Sequence, residues 1–301
     1  MNRFLQTTIV CAVMVAAVQA FAAATGAPPP ASAAPTSFAR IANDAHGRPT
    51  ALQLAIVSYA PEDEAYTVDL ISAIHVGDAA YYQDLNERFR AYDVLLYEMI
   101  VPGDDSQPGG SADKGAGGLG LITLMQNGLK DLLGLTYQLD GIDYDAANFV
   151  HADMTSAMLA ESMEARDESL YVYFWRAFFA AVDDYGRDPL GLEDWQRLSV
   201  AITSGRGNAL KIALAHDLVT TSFSADVFGG ENGSALIEAR NEHAFGVLKE
   251  QLEAGNRRIG IFYGAAHMPD FERRLVNDLG LEKTAIEWID AWRFSPAKPA
   301  L

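Results

Sequence analysis

The chain has 301 residues and a formal net charge of −18, and half of its residues are hydrophobic. This composition is ordinary for a globular protein and excludes the disordered and collagen-like classes. Nucleic acids and anionic membranes bind clustered Lys and Arg, so the acidic excess argues against both as partners. A single cysteine excludes an intrachain disulfide and a cysteine-based zinc site.

The N-terminus has the pattern of a secretory signal peptide. Arg3 gives a positive start, an apolar run follows over residues 4–18, and Ala20 and Ala22 fit a small-residue cleavage site. The alternative is a membrane anchor, but polar residues interrupt the run, and a spanning helix needs about 20 apolar residues. We therefore predict a signal peptide at residues 1–22 and a periplasmic or secreted protein without stable membrane insertion after cleavage.

A segment rich in Pro and Ala follows the predicted signal peptide. It contains too few large apolar residues to pack into a core, so residues 23–38 are predicted to be a linker. The remaining residues, 39–301, are predicted to form a single α/β domain.

The first half of this domain has the pattern of strands and one helix. Residues 51–74 contain two strand patterns separated by an acidic turn at 61–64. Apolar residues at helical spacing predict a helix over 79–92 with Asp78 as its N-cap, and the apolar run 94–99 predicts a buried strand. The strand before this helix and the strand after it should be parallel, as in a βαβ unit.

The second half begins with a region that reads as mostly helical, residues 121–253. Its aromatic stretch, residues 170–179, fits a buried helix, a substrate groove or a dimer face. The α/β pattern then returns, with a strand at 258–263, a helix at 268–279 and a closing strand at 284–292. The predicted fold is thus a mixed central sheet flanked by helices, in which two βα units bracket a helical insertion.

Two histidines occupy matching places in the two βα units. His75 and His267 each follow a predicted strand and precede a predicted helix, and Glu98 ends another strand. Because ligands of open α/β sheets bind at the carboxyl ends of the strands, these three side chains could meet. Two neutral imidazoles and a carboxylate can hold a divalent cation with its water. The alternative is a pair of histidines that cap helices or fill the core.

Arg240 precedes the last βα unit and is a candidate for substrate binding. Near a metal, its guanidinium would bind a substrate carboxylate or stabilise an oxyanion. The alternative is a surface ion pair with Glu238 or Asp270. The residues that we expect to contact substrate beside Arg240 are Asn241, Asp78 and Tyr263.

Other motifs carry less weight. The glycines of 115–120 fit G-x-G-x-x-G but follow no strand, so we do not predict a nucleotide site. His151 and Asp153 could add a ligand, although a loop or cap role is favoured. No G-x-S-x-G or H-E-x-x-H motif occurs, which excludes the common serine-hydrolase and zincin signatures.

At the histidine motifs the sequence resembles the TraB/GumN family, which is related to the TIKI proteins and more distantly to ChaN and erythromycin-esterase-like proteins. The matching pieces are Ala-Ile-His-Val-Gly-Asp at 73–78, Tyr-Asp-Val-Leu-Leu-Tyr-Glu at 92–98, Arg-Asn at 240–241 and Gly-Ala-Ala-His-Met-Pro at 264–269. The resemblance covers residues 52–292, with a weakly matched helical middle.

The resemblance implies a site made of two GxxH motifs, a glutamate and an arginine. These correspond to His75, Glu98, Arg240 and His267. We expect Glu98 and Arg240 to act in catalysis, and His75, Glu98 and His267 to bind Mn²⁺, Co²⁺ or Zn²⁺. In the first motif Ser72 stands where the family usually has glycine, which puts a side chain near the turn that orients His75.

TIKI members are described as metal-dependent peptidases, so the resemblance implies an extracytoplasmic hydrolase of peptides or amides. TraB members are linked to lowered activity of peptide pheromones, and ChaN to haem. The alternatives are therefore a protein that binds a peptide without cutting it, with the Gly-rich loop at 102–120 and the aromatic stretch as its groove, and a haem- or iron-binding protein.

Overall fold

The computed structural model describes residues 36–101, 134–166, 207–219 and 234–294. The predicted signal peptide, the Gly-rich loop and the aromatic stretch at 170–179 lie outside the described residues. The elements below all belong to the compact unit Ser37–Leu301.

The described strands are β1 (Ala39–Asn43), β2 (Pro49–Ala60), β3 (Thr67–Ala73), β4 (Val76–Gly77), β5 (Val94–Tyr97), β6 (Thr136–Tyr137), β7 (Phe149–His151), β8 (Arg258–Gly264) and β9 (Glu282–Arg293). The described α-helices are α1 (Ala79–Phe89), α2 (Gln138–Gly141), α3 (Ser156–Ala165), α4 (Gly207–Asp217), α5 (Arg240–Glu253) and α6 (Met268–Leu279). A π-helical segment, Ala235–Ala239, leads into α5, and a 3₁₀ turn, Ala265–His267, leads into α6.

Seven of these strands form one mixed sheet. Six of them follow the order β1-β2-β3-β8-β5-β7, and the seventh, β9, joins the sheet by pairing with β2. Strands β1, β3 and β9 run antiparallel to β2, whereas β3, β8, β5 and β7 are parallel to one another. The prediction of a mixed sheet flanked by helices is therefore confirmed. The carboxyl ends of the four parallel strands meet at one edge of the sheet, and this edge carries the candidate site.

The two strands of the first βα unit, β3 and β5, are parallel as predicted, but they are not neighbours. Strand β8 lies between them, and it pairs Leu70 of β3 and Leu96 of β5 with its own Ile261. Five consecutive residues of β8 are buried, which is typical of a central parallel strand covered on both faces. A Cβ at Gly260 would clash with the end of the Leu95 side chain, so the glycine makes room for that side chain against β8.

The region 121–253, predicted to be mostly helical, also contains two short strands that the sequence did not indicate. Within its described residues, β7 joins the main sheet beside β5, and β6 pairs with β4. Both strands have three residues or fewer, and such short runs do not show the alternation that identifies a strand. Strand β1, which precedes the first predicted strand, was not predicted either; of its five residues only Ala39 is buried.

Hydrophobic clusters fill both faces of the sheet. Helix α1 buries Tyr82, Leu85 and Phe89 on one face, and helices α5 and α6 bury Phe245 and Phe271 on the other. Helix α1 ends at Phe89, three residues before the predicted end. None of the helices in the described part of the chain is long and apolar enough to cross a membrane.

Helix α1 also fixes the end of β3. The Tyr81 hydroxyl donates to the Ser72 carbonyl oxygen at 2.9 Å, and the Tyr82 hydroxyl donates to the Ile74 carbonyl oxygen at 2.8 Å. Buried hydroxyls with a backbone partner hold a segment in one position. These two bonds therefore set the path of the chain that leads to His75.

Candidate functional site

The Glu98 carboxylate lies at the centre of the candidate site, directly after β5. Its Oε1 accepts a hydrogen bond from Arg240 Nη2 at 2.7 Å, and its Oε2 accepts one from the Gly264 N–H at 2.7 Å. His267 Nε2 lies 3.6 Å from Oε1. The ends of β5 and β8 and the start of α5 thus bring together three of the predicted site residues.

Arg240 is held in the site by Asp153, which follows β7. Its Nε donates to Asp153 Oδ1 at 2.8 Å and its Nη2 to Asp153 Oδ2 at 2.5 Å, and both side chains are buried. Among the described residues, the contacts of Nη1 are long, at 3.4 Å to the Leu236 carbonyl oxygen and 3.5 Å to His267 Nε2. Nη1 is therefore the guanidinium nitrogen best able to bind a substrate.

The backbone places Arg240 where the π-helical segment gives way to α5. Ser234 begins that segment and accepts the Leu236 N–H at its Oγ, 3.1 Å away. π-Helical segments are frequent at functional sites because they change the direction of the side chains that follow. The predicted alternative for Arg240 was a surface pair with Glu238 or Asp270, whereas the structure pairs it with buried carboxylates.

Asn241 fixes the proton of the buried His267 ring. Its Nδ2 donates to the His267 carbonyl oxygen and to Asp270 Oδ2, both at 3.0 Å, which leaves Oδ1 facing His267 Nδ1 at 2.6 Å. Because Oδ1 can only accept, Nδ1 carries the proton, and Nε2 turns an unshared electron pair toward Glu98 and Arg240. Asn241 was expected to contact substrate, and the structure places it as the residue that orients His267.

Electrostatics keeps Glu98 ionised and His267 neutral at pH 7. Burial favours the neutral acid, but His267, Arg240, His75 and the Gly264 N–H together hold the pKa of Glu98 well below its usual range. Burial lowers the pKa of His267 to about 4, and the attraction of Glu98 offsets this only in part. The pKa of Arg240 is raised because the attraction of Glu98 and Asp153 exceeds the cost of burial.

His75 takes a more open position than His267. Its ring is exposed and forms no hydrogen bond to Glu98 or His267 among the described residues. Its carbonyl oxygen accepts the Gln138 N–H at 2.8 Å, and its charge contributes to the low pKa of Glu98. His75 is thus at the same edge of the sheet as Glu98, and its side chain is exposed.

Asp78 and Tyr263 support the site in different ways. Asp78 begins α1 without capping it, and its carboxylate accepts from Lys211 Nζ at 2.7 Å and from the Arg293 N–H at 2.6 Å. The buried Tyr263 hydroxyl donates to the Ala152 carbonyl oxygen at 2.7 Å. The centroid of the Tyr263 ring lies 5.2 Å from that of the His267 ring. Tyr263 therefore packs behind His267, and Asp78 ties α1 to α4 and β9.

Ser72, where the family pattern has glycine, fits the backbone of β3. It is buried, and a positive φ does not occur there, since the described non-glycine residue with positive φ is Glu64. Its Oγ has no hydrogen-bond partner among the described residues. A side chain would be crowded at Gly264 instead, where a Cβ would lie 3.3 Å from Glu98 Oε2 and 3.8 Å from His267 Cδ2.

Asp153, for which the sequence favoured a loop or cap role, belongs to the site as the partner of Arg240. Asp153 lies two residues after β7, the same position relative to a strand that made His75 a candidate. Because β7 was read as part of a helical region, its carboxyl end was not recognised. The His151 ring is held at the Met99 carbonyl oxygen, which lies 2.6 Å from its Nε2.

The donor atoms of this site fit a divalent cation through two side chains. The unprotonated His267 Nε2 and the ionised Glu98 Oε1 both face the same space, 3.6 Å apart, and Asn241 holds the Nδ1 side of the His267 ring, as a hydrogen-bond acceptor commonly does for a metal-binding histidine. No group of three or more His, Cys, Asp or Glu residues is arranged for a metal within the described ranges. A bound ion would compete with Arg240 for Glu98 Oε1, and the His75 imidazole would have to rotate in order to coordinate that ion.

Comparison with protein-family models, with curated proteins and with solved structures finds no match to this chain. The resemblance to the TraB/GumN family therefore stays a prediction that depends on the quoted motifs.

Proposed function

We propose that this chain is a hydrolase of peptides or amides that acts outside the cytoplasm, as the TIKI-like peptidases do. The observation that carries the proposal is the meeting of Glu98, His267 and Arg240 at one edge of the sheet. An ionised carboxylate, a neutral imidazole and a guanidinium are the groups that carbonyl hydrolysis uses.

Arg240 is the residue placed to bind the reacting carbonyl group. Its Nε and Nη2 are held by Asp153 and Glu98, so the guanidinium cannot rotate, and Nη1 keeps its weakest contacts. When water adds to a carbonyl carbon, the oxygen gains negative charge, and a preorganised donor lowers the energy of that state. Arg240 Nη1 would bind the substrate carbonyl oxygen and then stabilise the oxyanion.

In this proposal the Glu98 side chain remains an ionised carboxylate and does not donate a proton to the substrate. Because its pKa lies well below the usual range, the carboxylate stays ionised through the reaction. Its two oxygens keep Arg240 and the Gly264 N–H in place, while His267 Nε2 remains unprotonated beside it. The site thus keeps both a negative carboxylate and a neutral imidazole ready for a cationic ligand.

A divalent cation, Mn²⁺, Co²⁺ or Zn²⁺, is the cofactor that we propose for Glu98 and His267, with His75 as the third ligand. When bound, such an ion supplies a polarised water at neutral pH. Within the chain, Asn241 keeps the proton on His267 Nδ1, so that Nε2 can coordinate.

Cleavage of a peptide library, followed by mass spectrometry, tests the proposal. Protein lacking the N-terminal 22 residues and incubated with Mn²⁺, Co²⁺ or Zn²⁺ should shorten a subset of peptides, and His267→Ala should not. His46→Ala, in an exposed turn, is the matched control and should cleave as the wild type does. Folded wild-type protein that returns every peptide intact with every metal would contradict hydrolysis, and recovery of one tightly bound intact peptide would favour sequestration.

Elemental analysis tests the cofactor separately. Wild-type protein dialysed against each metal should retain about one ion per chain, whereas His75→Ala and Glu98→Ala should retain less than the His46→Ala control. Equal metal content in all four proteins would contradict binding at this site and would leave the hydrolase proposal to the peptide assay.

A further inference from the structure

A cleft that the proposed mechanism does not use lies between helices α3 and α5. Helix α3 and the residue that ends it contribute Ser162 and Arg166, four residues apart and so on one face. Helix α5 contributes Glu242, His243 and Glu250. The volume of the cleft, about 440 Å³, is within the range of sites that bind small molecules, about 300–1,000 Å³. The cleft is therefore large enough to hold a short peptide.

Apolar side chains line the same cleft, next to the chain segments that carry a buried ion pair. They are Met154, Ala239 and Val247. Met154 directly follows Asp153, and Ala239 directly precedes Arg240, the two residues that pair with each other. A largely apolar lining with a few polar groups is the usual composition of a ligand site. A ligand in this cleft would therefore find both kinds of contact.

The half-buried Arg166 keeps one edge of its guanidinium available in the cleft. Its Nη1 donates to the Ser162 carbonyl oxygen at 3.3 Å and to Ser162 Oγ at 2.5 Å. Among the residues that the structure describes, Nε and Nη2 have no acceptor, and Arg166 forms no ion pair. These are the two nitrogens with which Arg240 binds the Asp153 carboxylate. Arg166 can therefore bind a carboxylate through two parallel hydrogen bonds.

The α5 side of the cleft carries the opposite charge. Glu242 and Glu250 are exposed and lie eight residues apart, about two helical turns, with the half-buried His243 between them. Within the described ranges their carboxylates accept no hydrogen bond and lie too far from Arg166 for an ion pair. A space with a guanidinium on one side and carboxylates on the other fits a molecule that carries one negative and one positive group.

We propose that the cleft between α3 and α5 binds a short peptide with both of its ends free. Arg166 binds the terminal carboxylate, Glu242 and Glu250 bind the terminal ammonium group, and the apolar side chains contact the residues between the ends. This inference goes beyond the proposed hydrolase function and does not rest on it, because binding in the cleft needs neither a metal nor cleavage.

Titration of metal-free protein with the tripeptide Ala-Ala-Ala, followed by ¹H–¹⁵N NMR, tests the proposal. Two derivatives each lack one charge: the N-acetylated peptide has no ammonium group, and the C-amidated peptide has no carboxylate. Each derivative should bind about 10-fold or more weakly than the free tripeptide, because a hydrogen bond between charged groups is lost. The amide signals that shift should be those of α3 and α5.

Variants that remove one charge assign each end of the peptide to one side of the cleft. Arg166→Gln should bind the free and the amidated tripeptide with equal Kd. The double variant Glu242→Gln, Glu250→Gln should bind the free and the acetylated tripeptide with equal Kd. Arg90→Gln and Glu87→Gln, at exposed positions of α1 and its end, are the matched controls and should keep the wild-type preference for the free tripeptide.

Three results would overturn the proposal. The first is equal Kd for the three peptides, or no binding, with folded wild-type protein. The second is a preference that depends on the carboxylate alone, which would indicate a simple anion site. The third is binding lost in His267→Ala and kept in Arg166→Gln, which would place the peptide in the proposed active site. Because no metal is present and no cleavage is measured, each of these results leaves the hydrolase proposal to its own assay.

Discussion

Asp153 and Arg240 form a buried ion pair with two parallel hydrogen bonds, from Nε to Oδ1 and from Nη2 to Oδ2. The fork of a guanidinium matches a carboxylate only in one plane, so this pairing fixes the orientation of Arg240 toward Glu98. An aspartate two residues after β7, the outermost of the parallel strands, thereby controls a residue at the start of α5.

Removing the charge of Asp153 should destabilise the fold strongly. In Asp153→Asn the buried Arg240 keeps Glu98 as its remaining carboxylate, and loss of one partner of a buried pair typically costs about 3 kcal/mol or more. Urea unfolding should give that loss, whereas Glu287→Gln, which breaks an exposed pair with Arg88, should cost less than about 1 kcal/mol. Equal losses in the two variants would contradict the role given to Asp153.

The tautomer of His267 can be observed directly. In metal-free protein at pH 7, ¹⁵N NMR should show a protonated Nδ1 and an unprotonated Nε2, because Asn241 Oδ1 accepts at Nδ1. Asn241→Leu should lose this preference and shift protonation toward Nε2, which faces Glu98. A wild-type spectrum with protonated Nε2 would rule out the site geometry described above.

A methyl group at Gly264 should disturb the site without unfolding the protein. The φ of −51° and ψ of 141° are allowed for alanine, but its Cβ would press on Glu98 Oε2 at 3.3 Å. We expect Gly264→Ala to lower the peptidase rate about 10-fold or more, since small misplacements at a reacting centre are costly. Gly246→Ala, in the interior of α5 with nothing near its Cβ, should gain about 0.5–1 kcal/mol and keep full activity. A Gly264→Ala enzyme as active as the Gly246→Ala enzyme would show that Glu98 tolerates displacement.

Acid should weaken the fold through Asp270. Burial raises its pKa, but hydrogen bonds from Arg274, Arg273 and Asn241 outweigh burial and lower it below 3.8. A carboxyl whose folded pKa is depressed stabilises the protein above its unfolded-state pKa, and this stability is lost as the pH falls through the folded value. Asp270→Asn should therefore be less stable than wild type at pH 7, by about 1–2 kcal/mol, and this gap should narrow between pH 4 and pH 2.

Urea unfolding at pH 7, 4 and 2 measures the effect of Asp270. The control is Asp84→Asn on α1, where the exposed i,i+4 pair with Arg88 should contribute about 0.5 kcal/mol or less. If Asp270→Asn and wild type differ by the same amount at every pH, then Asp270 does not titrate as described.

The sequence predicted the parts of this site that depend on long apolar strands. The runs before His75, Glu98 and His267 are buried over most of their length, so their carboxyl ends could be located from the pattern alone. Asp153 follows a strand of three residues, which carries too little pattern to be recognised. The position of β8 between β3 and β5 also depends on sheet assembly, which local patterns do not encode.

Side-chain partners across the fold could not be predicted in the same way. Asn241 was expected to bind substrate, but its amide is used on His267 and Asp270, which come from the next βα unit. The pairing depends on how α5 packs beside the start of α6, a tertiary contact. Tyr144 belongs to no periodic segment, and only the fold brings its ring centroid to 5.3 Å from that of Tyr97.

The most direct test of the site is the peptidase rate of Glu98→Gln. Glutamine keeps the size of Glu98 and can still accept the Gly264 N–H, but it removes the charge that Arg240 and the proposed cation share. Far-UV circular dichroism and urea unfolding establish that the variant is folded. We expect kcat/KM to fall at least about 1,000-fold relative to wild type under the same metal conditions. A folded Glu98→Gln protein that cleaves peptides within a few-fold of the wild-type rate would contradict a hydrolytic site at this edge of the sheet.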